Sequence, residues 1–241
     1  MDDPILIGGA KASKSISKLG DVMCITGLAL EFYLLEKEEK YFKIMKDASE
    51  TTKLHYDEEY SVFMEHARFA TGLDYTSPSG RLCNPGHSIE VSWFLLHLNQ
   101  IIKDPEIERI SNLALIGALE LGWDKDSGGI IYMLDIQGKP LMDTTVTAEN
   151  KLWWPMSEAL YATILAYEYS KDSTYVEWCK RIWSYIEDHF LDKENGGEWF
   201  GYLRKDGTVF NRLKGGNYKG CFHVPRALLF SIQASKRILN N

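Results

Sequence analysis

The chain repeats itself, and the repeat limits what it can fold into. Asp124-Lys125-Asp126-Ser127-Gly128-Gly129, followed by Ile130-Ile131-Tyr132-Met133-Leu134, is echoed 68 residues later. The echo is Asp192-Lys193-Glu194-Asn195-Gly196-Gly197, followed by Glu198-Trp199-Phe200-Gly201-Tyr202-Leu203. A weaker copy without the glycine pair, Asp57-Glu58-Glu59-Tyr60-Ser61-Val62-Phe63, begins 67 residues before the first. A fixed period of this size marks supersecondary units that bury their apolar faces by stacking on one another.

Each copy has the same surroundings. A helical pattern precedes it, over roughly 40–56, 105–122 and 174–191. The Asp/Asn/Gly cluster then turns the chain. A short aromatic or β-branched run follows, and Gln137-Gly138-Lys139 and Lys205-Asp206-Gly207 supply a second turn in the last two copies, so a small β-hairpin is expected. A further helical pattern comes next, over roughly 86–99, 155–170 and 224–239, and an earlier helix covers 19–36. The predicted fold is all-α, with helix pairs at a constant period and short hairpins between them. Such pairs form a toroid around a central cavity or an open solenoid. A closed toroid of six pairs needs about 400 residues at this period. The 241 residues supply about three and a half pairs, so the toroid is expected to be incomplete at its N-terminal side. Residues 1–18 are expected to be a flexible lead-in and 19–241 a single domain.

Composition narrows the function. A net charge of −7 disfavours nucleic acid and anionic membranes, both of which require a basic surface. No apolar run approaches the length of a membrane span, and no signal peptide is visible. The four cysteines form no Cys-x-x-Cys pair, so neither a zinc site nor a redox motif is indicated, and a cytoplasmic protein is expected. The 7 Trp, 13 Tyr and 10 Phe serve either as core or as platforms for sugar rings.

The reactive residues fall at one place in each repeat. His87 lies 30 residues after Asp57, Glu158 lies 34 after Asp124, and His223 lies 31 after Asp192. All three stand near the start of the helix that follows the turn, and in a toroid those starts converge on one mouth of the cavity. Asn84-Pro85 opens the first such helix as a cap and first-turn proline, and Pro155 opens the second. His87 and Glu90 share a helix face, as do Trp154 and Glu158. Gly215, Gly216 and Gly220 would let backbone approach a ligand. A lone histidine is ordinarily a surface or core residue, and His55, His66, His97 and His189 are read so. Glu90 either orients His87 or touches substrate. Glu158, in an apolar stretch, is either a paired structural charge or a tuned catalytic group. No compact ligand motif points to a metal.

Four blocks carry a family resemblance: Asn84-Pro85-Gly86-His87-Ser88-Ile89-Glu90 with Trp93-Phe94-Leu95-Leu96; Lys151-Leu152-Trp153-Trp154-Pro155 with Ser157-Glu158-Ala159; Gly197-Glu198-Trp199-Phe200-Gly201-Tyr202-Leu203; and Lys214-Gly215-Gly216 with Lys219-Gly220-Cys221-Phe222-His223-Val224-Pro225-Arg226. From about residue 20 onward the chain resembles the C-terminal portion of the N-acylglucosamine 2-epimerase, or renin-binding protein, family. The resemblance implies an α/α six-barrel that interconverts N-acetyl-D-glucosamine and N-acetyl-D-mannosamine. It places His87, Glu158 and His223 in the catalytic centre and Glu90, Trp93, Trp154 and Arg226 against the sugar. It also implies that no cofactor is required, that ATP acts as an activator, and that a second copy of the chain or renin is a partner. The family's active-site arginine lies in helices that this sequence lacks, and Lys151, Lys219 or Arg226 would replace it only weakly, so a chain of low activity is expected. Other readings are a related epimerase or isomerase of free sugars, a glycoside hydrolase using Glu90 and Glu158, and an inactive binding or regulatory partner.

Overall fold

The computed structural model describes residues 15–141 and 148–240. Residues 1–14 of the expected lead-in lie outside the described residues, but Ile16–Lys18 is already ordered as strand β1. Seven α-helices follow among the described residues: α1 (Leu19–Glu36), α2 (Glu39–Lys53), α3 (Pro85–Ile102), α4 (Pro105–Gly122), α5 (Trp153–Ser170), α6 (Ser173–Tyr185) and α7 (His223–Asn240). The helical run of α6 continues to Phe190 with one π turn.

Two rows form. α3 packs between α1 and α5, and α5 packs between α3 and α7, while α2, α4 and α6 back α1, α3 and α5. The sequence distinguishes the rows. α3 and α5 are apolar or small nearly all round and are buried on most positions, from Pro85 to Asn99 and from Trp153 to Ala166. The outer α2 and α6 each bury a narrow stripe, Met45, Ala48, Ser49 and Thr52 in one and Tyr175, Trp178, Ile182 and Tyr185 in the other. An all-round apolar helix must be covered on all sides, whereas a striped one faces solvent. At the ends of the arc, α1 and α7 each have one inner neighbour, so Leu28, Phe32 and Leu35 of α1 and Leu229, Ile232 and Leu239 of α7 are exposed.

Caps set the helix limits. The Asn84 side chain accepts from His87 N–H, Asp104 accepts from Glu106 N–H and Asp172 accepts from Thr174 N–H. α1, α3 and α5 each end on a lysine in the left-handed region, Lys37, Lys103 and Lys171, with φ of 57°, 61° and 59°. That conformation turns the chain directly into the outer partner helix.

The expected hairpins are only partly present. The first copy forms one, with β2 (Tyr56–Asp57) antiparallel to β3 (Val62–Phe63), and Ser61 takes the left-handed position with φ 52°. The later turns close single bridges, Trp123 to Ile130 and Leu191 to Trp199. The runs after them pair across repeats. β5 (Leu82–Cys83), which leads into α3, pairs with β6 (Leu134–Asp135), and β7 (Lys151–Leu152), which leads into α5, pairs with β8 (Tyr202–Leu203). β1 pairs in turn with β4 (His66–Arg68). These two-residue ladders leave too little apolar face to stand alone, so each staples the start of one inner helix to the next repeat. A hairpin does close at the second turn of the last copy, where Leu203 meets Val209.

The glycine pair separates backbone strain from packing. Gly129 has φ 76° and a Cβ there would lie 2.6 Å from the Tyr185 ring, whereas Gly196 has φ 88° and nothing within 4 Å. Gly196→Ala should cost only the left-handed strain of about 1–2 kcal/mol. Gly129→Ala should add an overpacking cost of about 1–3 kcal/mol. Urea unfolding of the two variants checks this, and equal losses would show that Tyr185 yields freely.

Candidate functional site

The N-terminal ends of α3, α5 and α7 meet, and each presents functional groups one helical turn apart. His87 and Glu90 stand three apart on α3, Trp154 and Glu158 four apart on α5, and His223 and Arg226 three apart on α7. This spacing stacks side chains on one helix face. The result is two layers that cross all three helices.

The first layer is aromatic. Trp154 neighbours both imidazoles, with ring centroids 5.0 Å from His87 and 5.6 Å from His223. The second layer is charged and buried. Arg226 Nη2 donates to Glu90 Oε1 at 2.6 Å and to Glu158 Oε1 at 2.7 Å. Beneath it a third layer of Trp93, Tyr161 and Phe230 packs edge to face or tilted. Trp93 belongs to this floor. Its Nε1–H donates to Glu158 Oε2 at 2.9 Å, and the Arg226 guanidinium lies 5.0 Å above its ring. It is 4% exposed, so it supports the carboxylates and offers no open face for a sugar.

Both histidines are anchored through Nδ1, each by a different carboxylate. His223 Nδ1 bonds Glu158 Oε1 at 2.7 Å, and His87 Nδ1 bonds Glu65 Oε1 at 2.8 Å. The expectation that Glu90 orients His87 is therefore corrected. Glu90 turns to Arg226, and the partner of His87 is Glu65, which lies between β3 and β4 and which the sequence did not single out. The distal Nε2 of each imidazole has no hydrogen-bond partner among the described residues.

Burial and charge compete at these groups. Burial alone would pull the His87 imidazole down, but the charge and hydrogen bond of Glu65, with a smaller contribution from Glu90, raise it above its ordinary 6.5. Burial likewise works against the Glu65 carboxylate, and His87 outweighs it, holding Glu65 below the usual carboxylate range. Glu90 is raised by burial and by the charge of Glu158, which Arg226 and His223 only partly offset.

The remaining candidates are committed elsewhere. Lys151 Nζ is fully buried and donates to Asp124 Oδ2 at 2.9 Å, to Ser127 Oγ at 2.7 Å and to the Lys205 carbonyl. Lys219 Nζ donates to Glu198 at 2.9 Å and to the Lys214 carbonyl at 2.7 Å. The loop before His223 borders a cavity of about 330 Å³ walled by Gly215, Gly220, Cys221 and Val224. His55 bonds the Met64 carbonyl and Ser17, His66 the Ser79 carbonyl, His97 the Tyr161 hydroxyl and His189 the Gly207 carbonyl. Glu90, Glu158 and His223 offer donor atoms within 4.8 Å of one another. A metal ion there would have to displace the Arg226 guanidinium that already bridges the two carboxylates.

Residues 32–227 match the family model described as N-acylglucosamine 2-epimerase (GlcNAc 2-epimerase). The rat N-acylglucosamine 2-epimerase is 35% identical over 194 residues, which are 80% of this chain and 45% of the rat protein. The human N-acylglucosamine 2-epimerase is 41% identical over 150 residues, 62% of this chain and 34% of the human protein. The chain thus spans less than half the length of these curated relatives. Among solved structures, the cellobiose 2-epimerase of Spirochaeta thermophila superposes with a TM-score of 0.78 at 21% identity, covering 99% of this chain and 57% of that one. The fold is therefore the α/α-toroid fold, present here as an arc.

Two histidines of opposite environment test the electrostatics in one experiment. His97, buried first and facing Arg237 second, is pulled down to about 4. An NMR titration of the imidazole rings should find His87 still protonated above pH 6.5 and His97 neutral down to about pH 4. The stability supplied by His87 should be complete below about pH 6.5 and lost as pH rises through its raised midpoint. His97 should remove stability as pH falls from about 6.5 to 4, where only the unfolded state takes the proton. A His87 midpoint below 6.5 would contradict the Glu65 pairing.

Proposed function

The chain belongs to the N-acylglucosamine 2-epimerase family, and from that premise we propose that it inverts C2 of an N-acylated hexosamine, interconverting N-acetyl-D-glucosamine and N-acetyl-D-mannosamine. The observation that carries the reading is the pair of imidazoles that share Trp154 as a neighbour, each anchored at Nδ1 by its own buried carboxylate. A His ring fixed at Nδ1 keeps Nε2 for chemistry, and its titration near neutrality lets it both take and give a proton.

In the open-chain sugar the C2 proton is α to the C1 aldehyde. One imidazole takes that proton through Nε2, and the C–H electrons form the C1–C2 double bond of an enolate, with the negative charge on the C1 oxygen. The other ring, as imidazolium, returns a proton to C2 from the opposite face. The carbonyl re-forms, C2 is inverted, and the two rings have exchanged protonation states and re-equilibrate with water. Two bases on opposite faces are what such an inversion requires, and two anchored imidazoles at one mouth supply them in this scheme. Glu158 orients His223 in this scheme and Glu90 holds Arg226. We also place the protein in the cytoplasm, on its four free cysteines. No helix among the described residues is long and apolar enough to cross a membrane.

The test is hydrogen exchange at C2. N-Acetylmannosamine incubated with the folded chain in D2O should lose its C2 proton signal and give N-acetylglucosamine, slowly, because no arginine is free to hold the enolate oxygen among the described residues. His87→Asn and His223→Asn should each lower the exchange rate by about 10²–10⁴, the usual contribution of a general acid–base group. Absence of exchange with folded protein would overturn the reading. Faster exchange with mannose or cellobiose than with N-acetylated sugars would move the substrate to a free sugar.

A further inference from the structure

The reading above uses Glu65 only as the anchor of His87, and its surroundings show that it is held in place for that one partner. It sits in the two-residue link between β3 and β4. Its backbone is pinned from both sides. Its N–H donates to the Leu82 carbonyl at 3.0 Å, on the strand that leads into α3. Its own carbonyl accepts from Leu19 N–H at 2.9 Å, at the first residue of α1. The link between two inner helix starts therefore fixes where the carboxylate begins. Its side chain, 11% exposed, ends 2.8 Å from His87 Nδ1.

The two histidine–carboxylate pairs differ in how the carboxylate is shared. Glu158 is divided among His223, Arg226 and Trp93, so an adjacent guanidinium already balances much of its charge. Glu65 has His87 as its only hydrogen-bonded or ion-paired side-chain partner among the described residues. An undivided carboxylate against one imidazole favours the imidazolium, whereas a carboxylate neutralised by arginine does so far less.

Resting on the reading above, we propose that Glu65 is a positioning residue for the epimerase centre: pinned through its backbone, it fixes the His87 ring through Nδ1 so that Nε2 is kept for the site, and it sets an undivided carboxylate charge against that ring. The groups that face this pair are few. Glu90 faces His87 from its own helix. Trp154 of α5 packs on the ring, and Gly20 of α1 lies against its Cε1 edge. Glu65 in turn faces His55, His66, Tyr132 and Cys83. Among the described residues no carboxylate other than Glu65 bonds the ring, so removing its charge leaves Glu90 as the remaining charge set against burial.

The variants are Glu65→Gln, which keeps the shape and loses the charge, and Glu65→Asp, which keeps the charge on a shorter arm. Two readouts are needed. Ring NMR of the folded protein should show the His87 midpoint falling below 6.5 in Glu65→Gln and recovering part of the way in Glu65→Asp, with His97 unmoved. Exchange at C2 of N-acetylmannosamine should fall at least about tenfold in Glu65→Gln, less than the about 10²–10⁴ expected for loss of the imidazole itself. Its pH profile should lose its high-pH limb to a lower pH, and Glu65→Asp should restore part of the rate. An unchanged His87 midpoint, or an unchanged rate and pH profile in a wild-type background that exchanges, would overturn the proposal while leaving the epimerase reading intact. If wild type does not exchange at all, that reading fails, and the NMR titration alone still decides whether Glu65 governs His87. Urea unfolding of each variant confirms that the readouts come from folded protein.

Discussion

One guanidinium ties the inner row together. Glu90 and Glu158 come from different helices and are both buried, so their charges repel in a medium that screens them poorly. Arg226 reaches from a third helix and bonds both through the same nitrogen. Burial works against the arginine's charge, and the two carboxylates more than restore it. Removing one member of such a buried cluster typically costs about 3–5 kcal/mol, because the remaining charge is stranded. The layers above and below depend on this bridge. His223 is one turn before Arg226 and His87 one turn before Glu90, so fixing the charges fixes the imidazoles. Trp93 under the bridge supplies one more donor and a π face for the cation.

The bridge works only because the helix starts are level. That alignment comes from the backbone. Pairing of β5 with β6 and of β7 with β8 joins each lead-in to the following repeat. Arg81 and Asp135, both buried, add an ion pair at 2.9 Å across the first staple, and Lys151 crosses the second to reach Asp124 and the Lys205 carbonyl. A shift of one residue in either ladder would turn that strand's inward side chains outward and displace the helix start that follows it. The repeat period is therefore a functional dimension as well as an architectural one. It brings a chemistry-bearing helix start to the same height every turn of the arc.

Much of this was legible because it is local. Helix extents, the Asn84 cap, the turn glycines and the equivalent positions of His87, Glu158 and His223 all follow from spacing and residue type. What escaped depends on contacts between distant segments. Glu65 is 22 residues before His87 and sits in a stretch with no periodic pattern. Its one sequence signal was a carboxylate directly after the apolar Val62-Phe63-Met64, where burial demands a partner. Glu90 looked like the partner of His87 because a shared helix face is visible in sequence, whereas the Arg226 136 positions away is not. The cross-repeat strands resemble hairpins in sequence for the same reason, since a Gly turn announces a reversal but not which strand lies beside it. The sequence also carries Lys-Glu, Lys-Asp and Lys-Asp steps at Lys37, Lys103 and Lys171. They mark the same left-handed cap in three successive units.

The cations around the site shape the chemistry it supports. Lys151 is held by three acceptors and Lys219 by two, and Arg226 is divided between two carboxylates. None of them has charge to spare for an oxygen that becomes anionic during reaction. On the proposed chemistry, the positive charge that faces a C1 enolate among the described residues is then an imidazolium, which is also the group that returns the proton. Charge stabilisation and proton return become one task, and the carboxylate behind that imidazolium governs both. A ring without such support would be neutral when the enolate forms and could neither balance its charge nor protonate it. The pairing of a buried, undivided carboxylate with His87 and of an arginine-shared one with His223 thus sets two chemically identical side chains in different surroundings, and the proton shuttle proposed here runs between them.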